Sequence, residues 1–426
     1  MAQKAIAGFR SIIKAYKESR FNLFLSLAWR NIWRNKRRTI ITIAAVVFSV
    51  TLAIYSLCLA TGEHEQMIND TLDILTGHLQ VHAKGYWDDR TIYTSFETPA
   101  ELKEFLENDD RVAAVTERIS VDSLISSDTD TTGVALIGIN PETEFTSIKN
   151  KMKEGDFIAP GDLSGIVIGE TLAKNLKVGI SDPIIILSQA YDGSIANAIF
   201  YVTGIFRTGS AEIDRSLVFI NLEELRYLFY LEGKSTELAI LLNESRDLKK
   251  INRDLVALVN PDQYEIMPWQ ELMPELIQFV ELDNAFGYIF FFMILIVVIF
   301  GIVNTILMAV MERYREFGVM MAIGTKPREI ISLVLMESAL IGLFGIVIGD
   351  LIGFGIGYYS TQVPLDFSAY SESFENFGID PLMYGKLYVW MFYVTDLIIF
   401  VSTILASIYP AIKAARLKPV KALRYI

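Results

Sequence analysis

This chain is short of the residues on which many small-molecule chemistries depend. Its 426 residues hold one cysteine, Cys58, and three histidines. A lone cysteine excludes a disulfide-stapled scaffold and any thiolate-rich metal centre. Because Cys58 lies inside a long apolar run, a fold independent of bridges is expected for the polar remainder. The histidines cluster between Gly62 and Ala83 with no nucleophile signature, so no Ser/His/Asp or Cys/His arrangement is legible. His78 and His82 are four apart in "TGHLQVH". On a strand that spacing separates them by about 13 Å, too far to hold one metal ion, and a solvated strand face is the expectation. A phosphate-binding loop is also missing. "EGKST" around Lys234 has Leu228 where the pattern needs its first glycine, and a turn between helix and strand accounts for it.

Charge is absent from, or sparse in, four long runs: residues 39–60, 286–311, 330–359 and 388–411. A helix needs about 20 mostly apolar residues to cross a bilayer, and each run qualifies. A composition that is 52% hydrophobic, with a mean hydropathy of +0.36, is too apolar for an ordinary soluble protein. The 21% of charged residues still leaves room for an aqueous domain. The expected fold class is therefore an α-helical membrane protein with four transmembrane helices, plus a mixed α/β extracytoplasmic domain between the first and second.

The net charge of −12 conceals an asymmetry. Arg30, Arg34, Lys36, Arg37 and Arg38 precede the first run; Arg313, Arg315, Lys326 and Arg328 separate the second and third; Lys413, Arg416, Lys418, Lys421 and Arg424 follow the fourth. Excess Lys and Arg marks cytoplasmic flanks, so 1–38, 312–329 and 412–426 are expected inside, with both termini cytoplasmic. Segments 61–285 and 360–387 are acid-rich and are expected outside. Nothing in this balance points to nucleic acid. No small-x-small site closes the first run, which reads as a retained anchor rather than a cleaved signal. Residues 5–28 place Phe9, Ile12, Ile13 and Tyr16 at helical spacing, as in an amphipathic helix lying on the membrane surface.

Within 61–285, "TPAELKEFLEN" signals a helix start, with Thr98 as N-cap, Pro99 at the first helical position and Glu101 closing a capping box. Strand-like "GHLQVHA" and "RVAAVTERISV" flank it. The order recurs in "TELAILL", "SRDLKKINRDLVALV" and "QYEIMPW". Two β-α-β units at the ends point to a split subdomain, with a strand-rich insertion over about 122–208.

Three sets of residues are candidate functional sites. Gly345, Gly349, Gly353 and Gly357 recur every four residues and present bare backbone on one helix face, as a close-packed seam would. Asp350 and Asp396 are ionisable groups inside the third and fourth runs, both roughly 12–14 Å deep at 1.5 Å per residue. Intramembrane carboxylates face a bundle interior or a wet cavity, so either a hydrated site or hydrogen-bonded helix packing fits them. The third set is the charged connection "MERYREFGVMMAIGTKPREI", more elaborate than a connector requires. Glu312, Arg313, Arg315 and Glu316 are expected to fall on the cytoplasmic end of a long second helix, Gly318 and Gly324 to permit breaks, and Lys326, Pro327, Arg328 and Glu329 to restart a short helix. Gly318 to Glu329 is expected to fold back as a docking helix, its own charges at the rim and Ala322 at the contact, with Glu312, Arg313 and Glu316 also counted among the ATPase-coupling residues.

"MERYREFGVMMAIGTKPREIISLVLMESALIG", the ending "YPAIKAARLKPVKALRYI" and the entry "LAWRNIWRNKRRTIITI" together resemble the FtsX-like ABC transporter permeases, of the lipoprotein-releasing and macrolide-export types. "GHLQVHAKGYWDD" and "GIVIGETLAKNLKVGISDPIIIL" resemble their outer-domain segments. The resemblance implies a mechanical exporter. Two permease chains, as a homodimer or heterodimer, would work with a dimer of separate ATPase subunits docked on 318–329. The ATP and Mg would sit on that partner, with no cofactor in this chain. Membrane lipid and a periplasmic lipoprotein carrier or adaptor complete the implied partners. Only a surface helix precedes the first run where macrolide-export types often carry a fused ATPase, which favours the lipoprotein-releasing arrangement. Drug or peptide export through a partner channel, and signalling to a cell-wall hydrolase, are the other readings.

Overall fold

The computed structural model describes residues 24–367 and 382–416. Residues 5–23 of the expected surface helix and Lys418, Lys421 and Arg424 of the expected basic tail lie outside them. The chain forms two units, one of residues 1–63, 281–364 and 384–426, the other of 64–280 and 365–383.

The first unit is helical. It contains α1 (residues 24–32) and most of α2 (Lys36–Thr71). Among the described residues four helices are long and apolar enough to cross a membrane, and each outruns the apolar stretch that marks it in the sequence. α2 replaces 39–60; the later three, numbered below, are Pro274–Glu312, Pro327–Gln362 and Val389–Ala415. The extra turns are polar and were invisible to a search for continuous hydrophobicity. Between α1 and α2 a 3₁₀ turn, Trp33–Asn35, bends the chain sharply: Thr39 Oγ1 donates to the Ile32 carbonyl seven residues back, at 2.5 Å.

The second unit is mixed α/β. In order it holds β1 (Leu79–Ala83), α3 (Ala100–Glu107), β2 (Val112–Ser126), β3 (Thr131–Ile139), β4 (Met152–Gly155), β5 (Gly165–Gly169), α4 (Glu170–Leu176), β6 (Pro183–Gln189), β7 (Ile195–Phe206), α5 (Ile213–Ser216), β8 (Leu217–Asn221), α6 (Leu222–Phe229), β9 (Glu237–Leu242), α7 (Leu248–Leu258), β10 (Tyr264–Pro268) and α8 (Trp269–Leu272). Strands β10-β1-β9-β2 lie side by side, all antiparallel, with α3 and α7 as the two crossovers. This is the split β-α-β subdomain expected from the repeated strand-helix-strand order. The insertion is larger than 122–208. β2 pairs with β3, β3 with β8, β8 with β5, β5 with β7, β7 with β6, and β6 again with β2, so six strands close on themselves. Closure needs β8, which lies beyond residue 208, and removes the free edges an open sheet would expose. Its interior is filled by Ile119, Val134, Ile166, Ile186, Phe200 and Val218 among others.

Two local expectations are corrected. α3 starts at Ala100 with Pro99 as its flanking residue, because Pro99 keeps an extended ψ of 135°; Thr98 is not the N-cap. His78 and His82 are buried rather than solvated: the His82 ring stacks on Tyr86 with centroids 4.9 Å apart, and His78 Nδ1 accepts from the Leu242 N–H at 3.2 Å. His82 Nδ1 lies 3.1 Å from the Thr236 carbonyl, which places its proton there, and Nε2 is buried without a partner. Burial pushes the His82 imidazole down to about 4.

The fold continues with α9 (Pro274–Glu312), α10 (Tyr314–Ala322), α11 (Pro327–Gln362), a two-residue hairpin β11 (Leu365–Asp366) with β12 (Leu382–Met383), and α12 (Val389–Ala415).

Candidate functional site

The charged connection between α9 and α11 is a helix set between two breaks, and the breaks fall in different places from those expected. Gly318 does not interrupt the chain; it is buried inside α10. The first break is at Arg313, which leaves helical geometry at φ −103° and ψ 17°. The second is at Gly324, whose φ of +102° suits glycine. There Thr325 N–H donates to the Met320 carbonyl at 2.9 Å and Gly324 N–H to that of Met321 at 3.1 Å, closing the end of α10. Pro327 then opens α11, and the Glu329 carboxylate accepts from the Lys326 N–H at 3.0 Å, capping it. The short helix therefore spans 314–322, not 318–329.

Glu312, Arg313 and Glu316 are not a free rim. Arg313 is buried and donates to Glu337 of α11 at 2.7 Å and to Glu316 at 3.2 Å, with its guanidinium 4.8 Å from the Phe317 ring centroid. Asn31 of α1 donates to the same Glu337 oxygen at 2.6 Å. Glu312 accepts from Arg38 of α2 at 2.7 Å, and Glu316 pairs with Arg34. Partial burial pushes the Glu316 carboxyl up, but Arg34 and Arg313 outweigh it and hold it below the usual carboxylate range. These charges brace α10 against α2 and α11. Sequence reading missed Asn31 and Glu337 because both sit far from the segment they anchor.

What the brace leaves outside is the tip. Ala322, Gly324, Lys326, Pro327 and Arg328 are exposed. Val319 is exposed too, and Ile323 is 80% exposed, more than any other large apolar side chain in the described residues. Arg315 adds a third exposed cation. An apolar knob ringed by positive charge on a braced helix is a docking geometry.

The four seam glycines are all buried; Gly345, Gly349 and Gly353 pack directly on α2 of the same chain, and Gly357 packs first on Leu387, just before α12. A Cβ on Gly345 would stand 2.5 Å from Val46 Cγ1, and one on Gly349 would stand 2.6 Å from Val50 Cβ, closer than carbon atoms approach. At Gly353 the neighbour is Ile54, at 3.2 Å, and at Gly357 it is Leu387, at 3.1 Å, with Cys58 Sγ behind it at 3.7 Å. Asp350 and Asp396 face one another where α11 packs on α12, each with one buried carboxyl oxygen that has no hydrogen-bond partner. Among the described residues no cluster of ligating side chains could hold a metal ion.

A second feature of the outer unit was not anticipated. Outward-facing positions of β2, β6 and β7 carry Leu124, Ile185, Leu187, Ile195, Ile199 and Tyr201, all exposed, beside a groove of about 790 Å³. Apolar residues at both alternate positions, as in Ile184–Leu187 of β6 and Ile199–Val202 of β7, are the signal that could have revealed it.

Two family models match the sequence. Residues 39–258, half of the chain, match the MacB-like periplasmic core domain, and residues 288–419 match the FtsX-like permease C-terminal domain. The chain belongs to the FtsX-like permease family. It is an ABC transporter permease and a multi-pass membrane protein. The lipoprotein-releasing system transmembrane protein LolC of Neisseria meningitidis is 24% identical over 406 residues, covering 91% of the permease and 94% of LolC. The macrolide export ATP-binding/permease protein MacB of Wolinella succinogenes is 24% identical over 94% of the permease, which spans 60% of that relative. The periplasmic region of MacB from Actinobacillus actinomycetemcomitans aligns with a TM-score of 0.36 at 14% identity, covering 50% of the permease and 98% of that chain.

Proposed function

We propose that the permease is the transmembrane subunit of an exporter that draws lipoproteins out of the membrane, driven by ATP hydrolysis on a separate subunit docked at Val319, Ala322 and Ile323. The observation that carries this reading is the braced tip. An apolar knob held by Arg313–Glu337 and Arg38–Glu312 on two membrane helices can pass a push from a partner into the bundle without folding away. Arg315, Lys326 and Arg328 would face the cytoplasm under the charge rule and give an ATPase groove its register. The second permease chain would cover α9, which turns Phe286, Tyr288, Phe290, Phe292 and Phe300 outward.

A lipoprotein cargo is supported by the near full-length likeness to LolC and by the apolar outer face of β2, β6 and β7, which offers an amphiphile or its carrier a surface outside the bilayer. Export of drugs or peptides through a partner channel is the second reading, favoured by the likeness to MacB. Proteoliposomes holding the permease with its copurified ATPase decide between them. ATP-dependent release of a triacylated lipopeptide, with no stimulation by a macrolide, is the expected result; macrolide-stimulated hydrolysis without lipopeptide release would overturn it. The permease alone is expected to hydrolyse no ATP.

A further inference from the structure

One side of the glycine seam forms a groove with no function assigned to it above. Ile40, Ile43, Ala44, Val47, Phe48 and Thr51 of α2, with Ile348 and Ile352 of α11, line a groove of about 530 Å³ that opens away from the protein. It exists because Gly345 and Gly349 let the two backbones close up, so that the side chains on one flank stand as walls above a shallow floor. From Ile40 to Thr51 it runs eleven residues, roughly 16 Å at about 1.5 Å per residue. That is about one leaflet of a hydrocarbon core some 30 Å thick.

The groove's polar end differs from the rest. Trp33 lines it there, Trp29 packs edge-on against Trp33 with centroids 5.9 Å apart, and Trp29 also lies on Phe344 at 5.4 Å. Two tryptophans at the end of a leaflet-long groove sit where aromatic belts meet head groups. At about 100° per residue, Lys36 and Arg37 flank the stripe formed by Ile40, Ala44, Val47 and Thr51, each within roughly 60° of its centre. Both are exposed. Arg38 falls roughly 150° away and is already paired with Glu312, and Arg34 with Glu316. Of the four cations at residues 34–38, Arg34 and Arg38 thus turn inward to Glu316 of α10 and Glu312 of α9, and Lys36 and Arg37 are left above the groove.

We infer that this groove is a binding site for an anionic phospholipid, with one acyl chain along Ile40 to Thr51 and the head group phosphate held by Lys36 and Arg37. Apolar lining fits the chain, its length fits one leaflet, and the two exposed cations at the head-group end, without an ion pair among the described residues, supply a charge preference that a bare helix contact lacks.

Native mass spectrometry of the purified full chain, offered equimolar dioleoyl phosphatidylglycerol and dioleoyl phosphatidylcholine, tests it. The expected result is one retained lipid per chain with about tenfold preference for phosphatidylglycerol, corresponding to about 1.4 kcal/mol. Lys36→Gln with Arg37→Gln, at exposed positions that leave the bracing arginines intact, is expected to cut the preference below about twofold while lipid is still retained. Ala44→Trp, which fills the groove, is expected to lose both lipids. No preference in the wild-type chain, or an unchanged preference in the double glutamine variant, overturns the inference. So does an Ala44→Trp chain that keeps its lipid but stops self-associating, since the groove would then belong to a second copy.

Discussion

Inside the six-stranded barrel of the outer unit the packing is done by large side chains: Ile, Leu, Val and Phe fully out of water. Between α2 and α11 it is done by their absence, with Gly345, Gly349 and Gly353 set against Val46, Val50 and Ile54. The solvent explains the contrast. In water, burying apolar area is itself favourable, at about 25 cal/mol per Å², so bulk stabilises. In lipid a leucine gains nothing by leaving the hydrocarbon, and contact is won only by bringing backbones close enough for dispersion. Charge follows the same division. The outer unit encloses Arg118 and Glu144 in its core, whereas the membrane unit's brace sets Arg38, Glu312 and Arg313 at or near helix ends and reaches inward only to Glu337, the eleventh residue of α11.

The largest effect expected from breaking this comparison is at the seam. Gly349→Leu is predicted to abolish assembly or transport. Gly345→Ala and Gly349→Ala should already be damaging, while Gly353→Ala and Gly357→Ala should be tolerated, because only the first pair leaves no room for a methyl group. Folded yield after detergent extraction and transport by the four alanine variants check this gradient; uniform tolerance would reduce the seam to ordinary membrane composition.

Next in size is the buried ion pair. Arg118 donates to Glu144 at 2.9 and 2.6 Å and also caps the Leu75 carbonyl at the end of the π-helical turn Leu72–Thr76. Arg118→Met strands Glu144 in the core and is predicted to destabilise the outer unit by about 3–5 kcal/mol, whereas Arg118→Met with Glu144→Leu should recover most of the loss. Hydrogen exchange at β2 and β3 amides in the full chain provides the measurement.

Acid gives a smaller effect of defined sign. His82 has a folded pKa of about 4 against 6.5 for the free side chain, and burial lowers His78 as well. Between those values the unfolded chain binds more protons. Stability of the outer unit is therefore complete above about pH 6.5 and lost as pH falls towards 4, by about 3 kcal/mol for His82. His82→Asn should flatten that slope. The smallest effect is expected at Leu351→Ala, on the exposed lipid side of α11, which should leave folding and transport near wild type.

Much of this was legible in the sequence because its periods are physical. Four leaflet-to-leaflet apolar runs, a glycine every fourth residue and a repeated strand-helix-strand order each report a local geometry. What stayed hidden depended on residues far apart. Glu312, Arg313 and Glu316 read as ATPase-coupling residues on the end of the second membrane helix because Asn31, Arg34, Arg38 and Glu337, which occupy them, cannot be paired with them by spacing. Gly318 read as a break because glycine is permissive, yet a buried helical site against neighbouring helices is an equally good use of a missing side chain. The barrel's closure through β8 was hidden for the same reason: β2 and β6 are more than fifty residues apart, and nothing local marks them as neighbours.

The central claim is that the tip of α10 is where an ATPase subunit grips the permease. Copurification of that subunit with tagged permease tests it most directly, comparing Ala322→Asp and Ile323→Asp with Glu329→Gln. The aspartates bury an unpaired charge at the contact and are predicted to lower recovered ATPase at least tenfold while the permease still inserts and folds. Glu329→Gln, which can keep its cap on Lys326, should recover it within about twofold. Normal recovery of the ATPase with both aspartate variants would contradict the account and leave the α9–α11 connection a braced loop.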